Sequence, residues 1–134
     1  MSNPPVDVQQ FGQSIWLDFI HRRSIEGGEL QQYIDEYGVI GVTSNPSIFQ
    51  KAIGESDDYD AGMMHILDLD ASDIYEQLAV EDIQKALDLF RPIYDRTQKK
   101  DGYVSLEVSP LIANDTDTTL SEALRLFKLV DRPN

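Results

Sequence analysis

The chain has 134 residues, 41% of them hydrophobic and 26% charged, which gives one soluble, globular domain large enough to bury a core. Its formal net charge of −13 disfavours nucleic acid and anionic membranes as partners, although a few local arginines could still hold a small phosphorylated ligand. No cysteine is present, which removes disulfides and thiolate metal sites, and no apolar run approaches the roughly 18 residues that span a bilayer.

The chain opens with Met1-Ser-Asn-Pro-Pro, without the basic and long apolar regions of a secretory leader, so a cytoplasmic address is expected. The first short apolar run is Ser14-Ile-Trp-Leu-Asp18. After Gly27-Gly28, the residues Leu30, Tyr33, Ile34 and Tyr37 recur at helical spacing, and Gly38 stands where a helix is closed by a left-handed residue. The second run, Val39 to Thr43, ends in Ser44-Asn45-Pro46. There Asn45 can cap a helix and Pro46 can open it.

The acidic stretch from Gly54 to Asp60 reads as a loop, and Ala61 to Leu67 as a short helix. A long helix follows from Ser72, with Ile83, Ala86, Leu87, Phe90 and Tyr94 on one face and a kink expected at Pro92. Asp101-Gly102 is a turn, and Tyr103 to Val108 is the third run. A final helix from about Asp117 is expected to carry Leu120, Ala123, Leu124 and Phe127 inward. Arg132-Pro133-Asn134 reads as a breaker ahead of a further strand.

Strands alternating with helices imply a parallel sheet with crossover connections. The fold class is α/β. Residues 1–134 read as the N-terminal portion of a single (β/α)8 TIM barrel domain, its first three strand–helix units. A complete barrel takes about 250 residues, and an open three-stranded sheet leaves bare edges that favour completion or self-association.

Barrel chemistry collects at the C-terminal ends of strands. Three polar residues stand there: Asp18, Asn45 and Glu107. Asp18 follows Ile15-Trp16-Leu17 and is either a cap or an acid with a raised pKa. Strand alternation puts Tyr103, Ser105 and Glu107 on one face, and with Val104, Leu106 and Val108 packed under helices Glu107 is expected to point into the barrel. Helix capping accounts for Asn45 without any further role. His21, beside Arg22 and Arg23, reads as a solvated loop residue, and His65 as part of a helix. No metal-ligand spacing and no glycine-rich phosphate loop occurs, so no metal or cofactor is expected.

Three segments resemble transaldolases, in particular the longer bacterial ones. Gly12-Gln-Ser-Ile-Trp-Leu-Asp-Phe-Ile-His-Arg-Arg23 is similar to their first barrel strand. Gly41-Val-Thr-Ser-Asn-Pro-Ser-Ile-Phe49 contains the signature T-[ST]-N-P-[ST], and Asp101-Gly-Tyr-Val-Ser-Leu-Glu-Val-Ser-Pro110 is similar to a third characteristic segment. The resemblance implies a Schiff base enzyme that moves a dihydroxyacetone unit from a ketose phosphate to an aldose phosphate in the pentose phosphate pathway. Its substrates would be sedoheptulose 7-phosphate, fructose 6-phosphate, erythrose 4-phosphate and glyceraldehyde 3-phosphate.

By the same resemblance, Asp18 would exchange a proton with the substrate hydroxyl, and Glu107 would act through a water in Schiff base formation and hydrolysis. Asn45, with Thr43 and Ser44 of the signature, would bind substrate. The family's lysine is expected on the next strand, beyond Asn134. Lys99 and Lys100 fall at the wrong end of the barrel, Lys85 and Lys128 on exposed helix positions, and Lys51, alone near the correct face, has nothing around it to lower its pKa, so the chain alone is expected to be inactive. Two other readings are a fructose 6-phosphate aldolase-type enzyme and a non-catalytic, self-associating half-barrel.

Overall fold

A computed structural model describes residues 3–134. Three short strands, β1 (Trp16–Leu17), β2 (Gly41–Val42) and β3 (Tyr103–Val104), form one parallel sheet in the order β1-β2-β3. The register aligns Trp16 with Gly41 and Gly41 with Tyr103, then Leu17 with Val42 and Val42 with Val104. Backbone bonds extend the pairing past these cores: Ile40 N donates to Ile15 O, Thr43 N to Leu17 O, and Ser105 N to Val42 O.

The helices are α1 (Pro4–Asp7), α2 (Arg22–Glu26), α3 (Glu29–Tyr37), α4 (Pro46–Gly54), α5 (Asp60–Met63), α6 (Ala71–Arg96) and α7 (Thr116–Val130). Local chemistry sets several of their ends. Gly38 closes α3 at φ +65°, a conformation that glycine adopts without steric cost. Asn45 Oδ1 accepts from Ile48 N at 3.0 Å and Pro46 is the first residue of α4. Asp115 caps α7 in the same way through Thr118 N.

Residues i and i+2 of a strand share a face, so Leu17, Val42 and Val104 lie on one side of the sheet. That side meets Ile25, Leu30, Phe49, Ile83, Leu87 and Phe90 from the surrounding helices in the main core. Each such side chain contributes about 1.5–3 kcal/mol on burial. The other side carries Trp16, Gly41 and Tyr103. A Cβ at Gly41 would overlap the Trp16 indole, so the glycine lets that ring lie across β2.

Three expectations need correction. The third strand is shorter than Tyr103 to Val108, because its outer edge has no paired strand to hold Leu106 onward extended. The helix expected over Ala61 to Leu67 stops at Met63, and turns follow through Asp68. The inward face of α7 is Leu126 and Val130, whereas Leu120, Ala123, Leu124 and Phe127 are all exposed. The helix is apolar around much of its girth, and which stripe turns inward depends on what lies opposite it.

Candidate functional site

The face of the sheet that carries Trp16, Gly41 and Tyr103 continues beyond the paired residues at the same two-residue spacing, from Trp16 to Asp18, from Gly41 to Thr43, and from Tyr103 to Ser105. Asp18 and Thr43 come together there, with Thr43 Oγ1 donating to Asp18 Oδ1 at 2.6 Å. The hydroxyl fixes the carboxylate and leaves Oδ2 without a hydrogen bond among the described residues. Asp18 is exposed, so a ligand can reach it.

Ser44 faces the other way. It is buried, its Oγ donates to Ser105 O at 2.6 Å, and its own amide donates to Ser105 Oγ at 3.3 Å. Its contacts are a tie between the ends of β2 and β3. Asn45 spends its Oδ1 on the α4 cap, while its Nδ2 has no partner among the described residues.

Glu107 is exposed and lies past the paired part of β3. It borders a cleft of about 310 Å³ together with Pro46, Tyr75, Ala79, Leu106 and Leu126. Burial, and then the nearby Glu107 charge, push the Tyr75 hydroxyl above its ordinary pKa. Glu107 therefore lines this cleft beside Pro46 at the start of α4. Asp18 with Thr43, and Ser44 with Ser105, are the expected groups that the fold joins directly.

Other candidates are placed plainly. His21 is half-buried, unlike a solvated loop residue: its Nδ1 caps α2 by accepting from Arg23 N at 3.2 Å and lies 3.3 Å from Asp58 Oδ2. His65 is exposed. Lys51 is exposed on α4, and Lys85 pairs with Glu26. Among the described residues no group of three or more His, Asp or Glu side chains could hold a metal ion. No helix among them is long and apolar enough to cross a membrane.

A second polar group, not anticipated from sequence, is fully inside the fold. Arg22 Nε donates to Asp82 Oδ1 at 2.7 Å, its Nη2 reaches Glu81 at 3.0 Å, and its guanidinium lies 4.5 Å from the Tyr59 ring centre. Tyr59 Oη donates to Asp82 Oδ2 at 2.7 Å and accepts from Arg22 N at 3.3 Å. Burial pushes the Asp82 carboxyl up, against the lowering effect of Tyr59 and Arg22. Burial and Asp82 also raise the Tyr59 hydroxyl, keeping it a donor. The cluster fastens the start of α2, four residues after Asp18, to α6. Its signal in the sequence is Asp82 itself, four residues from both Leu78 and Ala86 and so on their buried face.

The family model for Transaldolase/Fructose-6-phosphate aldolase matches residues 15–134. The chain belongs to this family. A transaldolase of Trichodesmium erythraeum is 43% identical over 136 residues, covering 100% of the chain and 36% of that protein. A transaldolase of Thiobacillus denitrificans is 48% identical over 130 residues, covering 96% of the chain and 36% of that protein. "Transaldolase 2" of Nostoc punctiforme is 44% identical, covering 99% and 35% respectively. The chain thus spans about a third of the length of these transaldolase relatives, and the family match includes all three strands with Asp18, Thr43, Ser44, Asn45 and Glu107.

Proposed function

We propose that residues 1–134 are the first three strand–helix units of a (β/α)8 transaldolase barrel, in a cytoplasmic enzyme that transfers a dihydroxyacetone unit between sugar phosphates. The observation that carries this reading is the Thr43–Asp18 hydrogen bond, which holds an accessible carboxylate at the end of β1 on the inner sheet face. A carboxylate with one oxygen fixed and the other open is suited to taking and returning a substrate hydroxyl proton during carbon–carbon cleavage. The open Nδ2 of Asn45 is suited to holding a polyol oxygen in place. Ser44 supports the site from behind by tying β2 to β3, and Glu107 would serve water-mediated proton transfer once the barrel brings it to the mouth.

The covalent step in this reading belongs to a lysine outside these residues, so the chain alone is inactive. The names of the relatives favour transfer to an aldose over simple release of dihydroxyacetone. The test joins the chain in frame to the C-terminal two thirds of the Thiobacillus denitrificans transaldolase and follows transfer from fructose 6-phosphate to erythrose 4-phosphate. Transfer is expected, and Asp18→Asn should slow it by about 10²–10⁴-fold, the range for losing a general acid–base group. Dihydroxyacetone release without an acceptor at the same rate would replace transaldolase by aldolase. A stable borohydride adduct on the 134-residue chain itself would overturn its inactivity.

A further inference from the structure

We propose that the cleft between the Phe19–His21 segment and α4 is a binding site for a small neutral sugar or polyol, with His21 Nε2 as its proton acceptor. The site does not depend on the reaction proposed above.

One buried oxygen decides the state of His21. Asp58 Oδ2 is shut off from solvent and has no hydrogen-bond donor among the described residues. Oδ1 of the same carboxylate accepts from Arg23 Nη2 at 2.6 Å and from Arg23 Nε at 3.1 Å. What faces Oδ2 is His21 Nδ1, at 3.3 Å. The same nitrogen lies 3.2 Å from the Arg23 amide. It cannot accept from that amide and donate to the carboxylate at once.

The two claims are unequal. A buried carboxylate oxygen without a donor is costly. The Arg23 amide is in the first turn of α2, where water can replace a side-chain cap, and Arg23 is exposed. The proton therefore belongs on Nδ1, directed at Asp58. In the neutral ring Nε2 then carries the lone pair, and it has no partner among the described residues.

The surroundings of that ring suit a ligand. A cleft of about 490 Å³ is bordered by Phe19, His21, Ile48, Lys51 and Glu55, among others, a volume within the range of small-molecule sites. Phe19 and His21 are alternate residues of an extended segment, and their rings stack with centroids 6.3 Å apart. Phe19 is 44% exposed, so it offers an open aromatic face. Lys51 and Glu55 are also exposed, and neither has an ion-pair partner among the described residues.

Charge and hydrogen bonding select the ligand. Arg23 and Lys51 stand against Asp57, Asp58 and Glu55, and the whole chain carries −13, so a phosphate would meet a negative field. A purely apolar molecule would strip water from Lys51, Glu55 and Nε2 and return no hydrogen bond. A sugar or polyol answers every group. Its hydroxyls donate to Nε2 and to Glu55 and accept from Lys51 Nζ, and its C–H face lies on the Phe19 ring.

The test uses the 134-residue chain in NMR titrations with methyl glucoside, a cyclic probe, and with sorbitol, an open-chain one. Neither has a free carbonyl that could form an imine with a lysine. Nitrogen-15 shifts of the neutral His21 ring should place the proton on Nδ1. At least one probe should give saturable shifts at Phe19, His21 and Lys51 while leaving the exposed His65 unmoved. Asp58→Asn sets an amide donor opposite Nδ1, so it should move the proton to Nε2 and weaken binding at least ~10-fold. Phe19→Ala should weaken it too, with the melting temperature unchanged. A ring protonated on Nε2 in the unsubstituted chain overturns the proposal. So do shifts that never saturate with either probe, shifts that move His65 equally, or Asp58→Asn binding the probe as tightly as before. Inorganic phosphate that saturates the same residues more tightly than both probes overturns it as well.

Discussion

Arg22, Asp82 and Tyr59 concentrate more energetic risk than any other three side chains in the core. Two charges and a hydroxyl are withdrawn from water and answer one another with bonds of 2.7 Å from Arg22 and from Tyr59 to Asp82. Removing one partner strands the other, which costs about 3–5 kcal/mol, whereas replacing an entire buried pair by apolar groups of similar volume is often neutral. Asp82→Ala is therefore expected to lose about 3–5 kcal/mol in urea unfolding, a large share of a typical domain's stability. Arg22→Met combined with Asp82→Leu should lose less than the sum of the two single changes. Additivity would show that the two side chains are not coupled.

This cluster was hidden from the sequence for a physical reason: its members are up to 60 residues apart, and nothing local pairs them. Asp18, Asn45 and Glu107 were visible because strand ends carry polar residues at fixed positions relative to apolar runs. Thr43 belongs to the motif, but its role as the donor that orients Asp18 needs the β1–β2 register.

Among the elements, those with local determinants were legible. Asn45-Pro46 and Gly38 set helix ends by bonds and backbone angles within a few residues, and α6 shows its buried face through Ile83, Ala86, Leu87 and Phe90. α7 was misread because its sequence offers apolar residues on two stripes. Packing against α6 turns Leu126 and Val130 inward, at 8% and 7% exposure, and leaves Leu124 54% exposed. Leu126→Ala should therefore cost about 2 kcal/mol, at the low end for a core leucine because a cleft already borders it. Leu124→Ala should stay within about 0.5 kcal/mol. Chemical denaturation of both variants checks the orientation, and the reverse order would restore the face read from sequence.

At the scale of the whole molecule, an exposed apolar stripe and a net charge of −13 oppose one another. Leu120, Leu124 and Phe127 favour association of copies, and the charge keeps them apart at neutral pH. As pH falls toward the sequence pI of about 4.3, carboxylates protonate and the repulsion fades. The attachment of α7 should survive there. The Thr118 amide and hydroxyl hold the Asp115 carboxyl below its usual 3.8, and Arg132 does the same for Asp88. The stability these depressed groups give is present above 3.8 and is lost only as pH falls through their lower folded values, below the pI. Self-association is therefore expected to rise near pH 4.3 with helical content unchanged, as read by light scattering beside circular dichroism. Leu124→Glu with Phe127→Glu should suppress it, because both changes fall on the stripe and neither touches the Leu126–Val130 face. Association that persists in this double variant would mean that the contact surface is the bare sheet edge rather than α7.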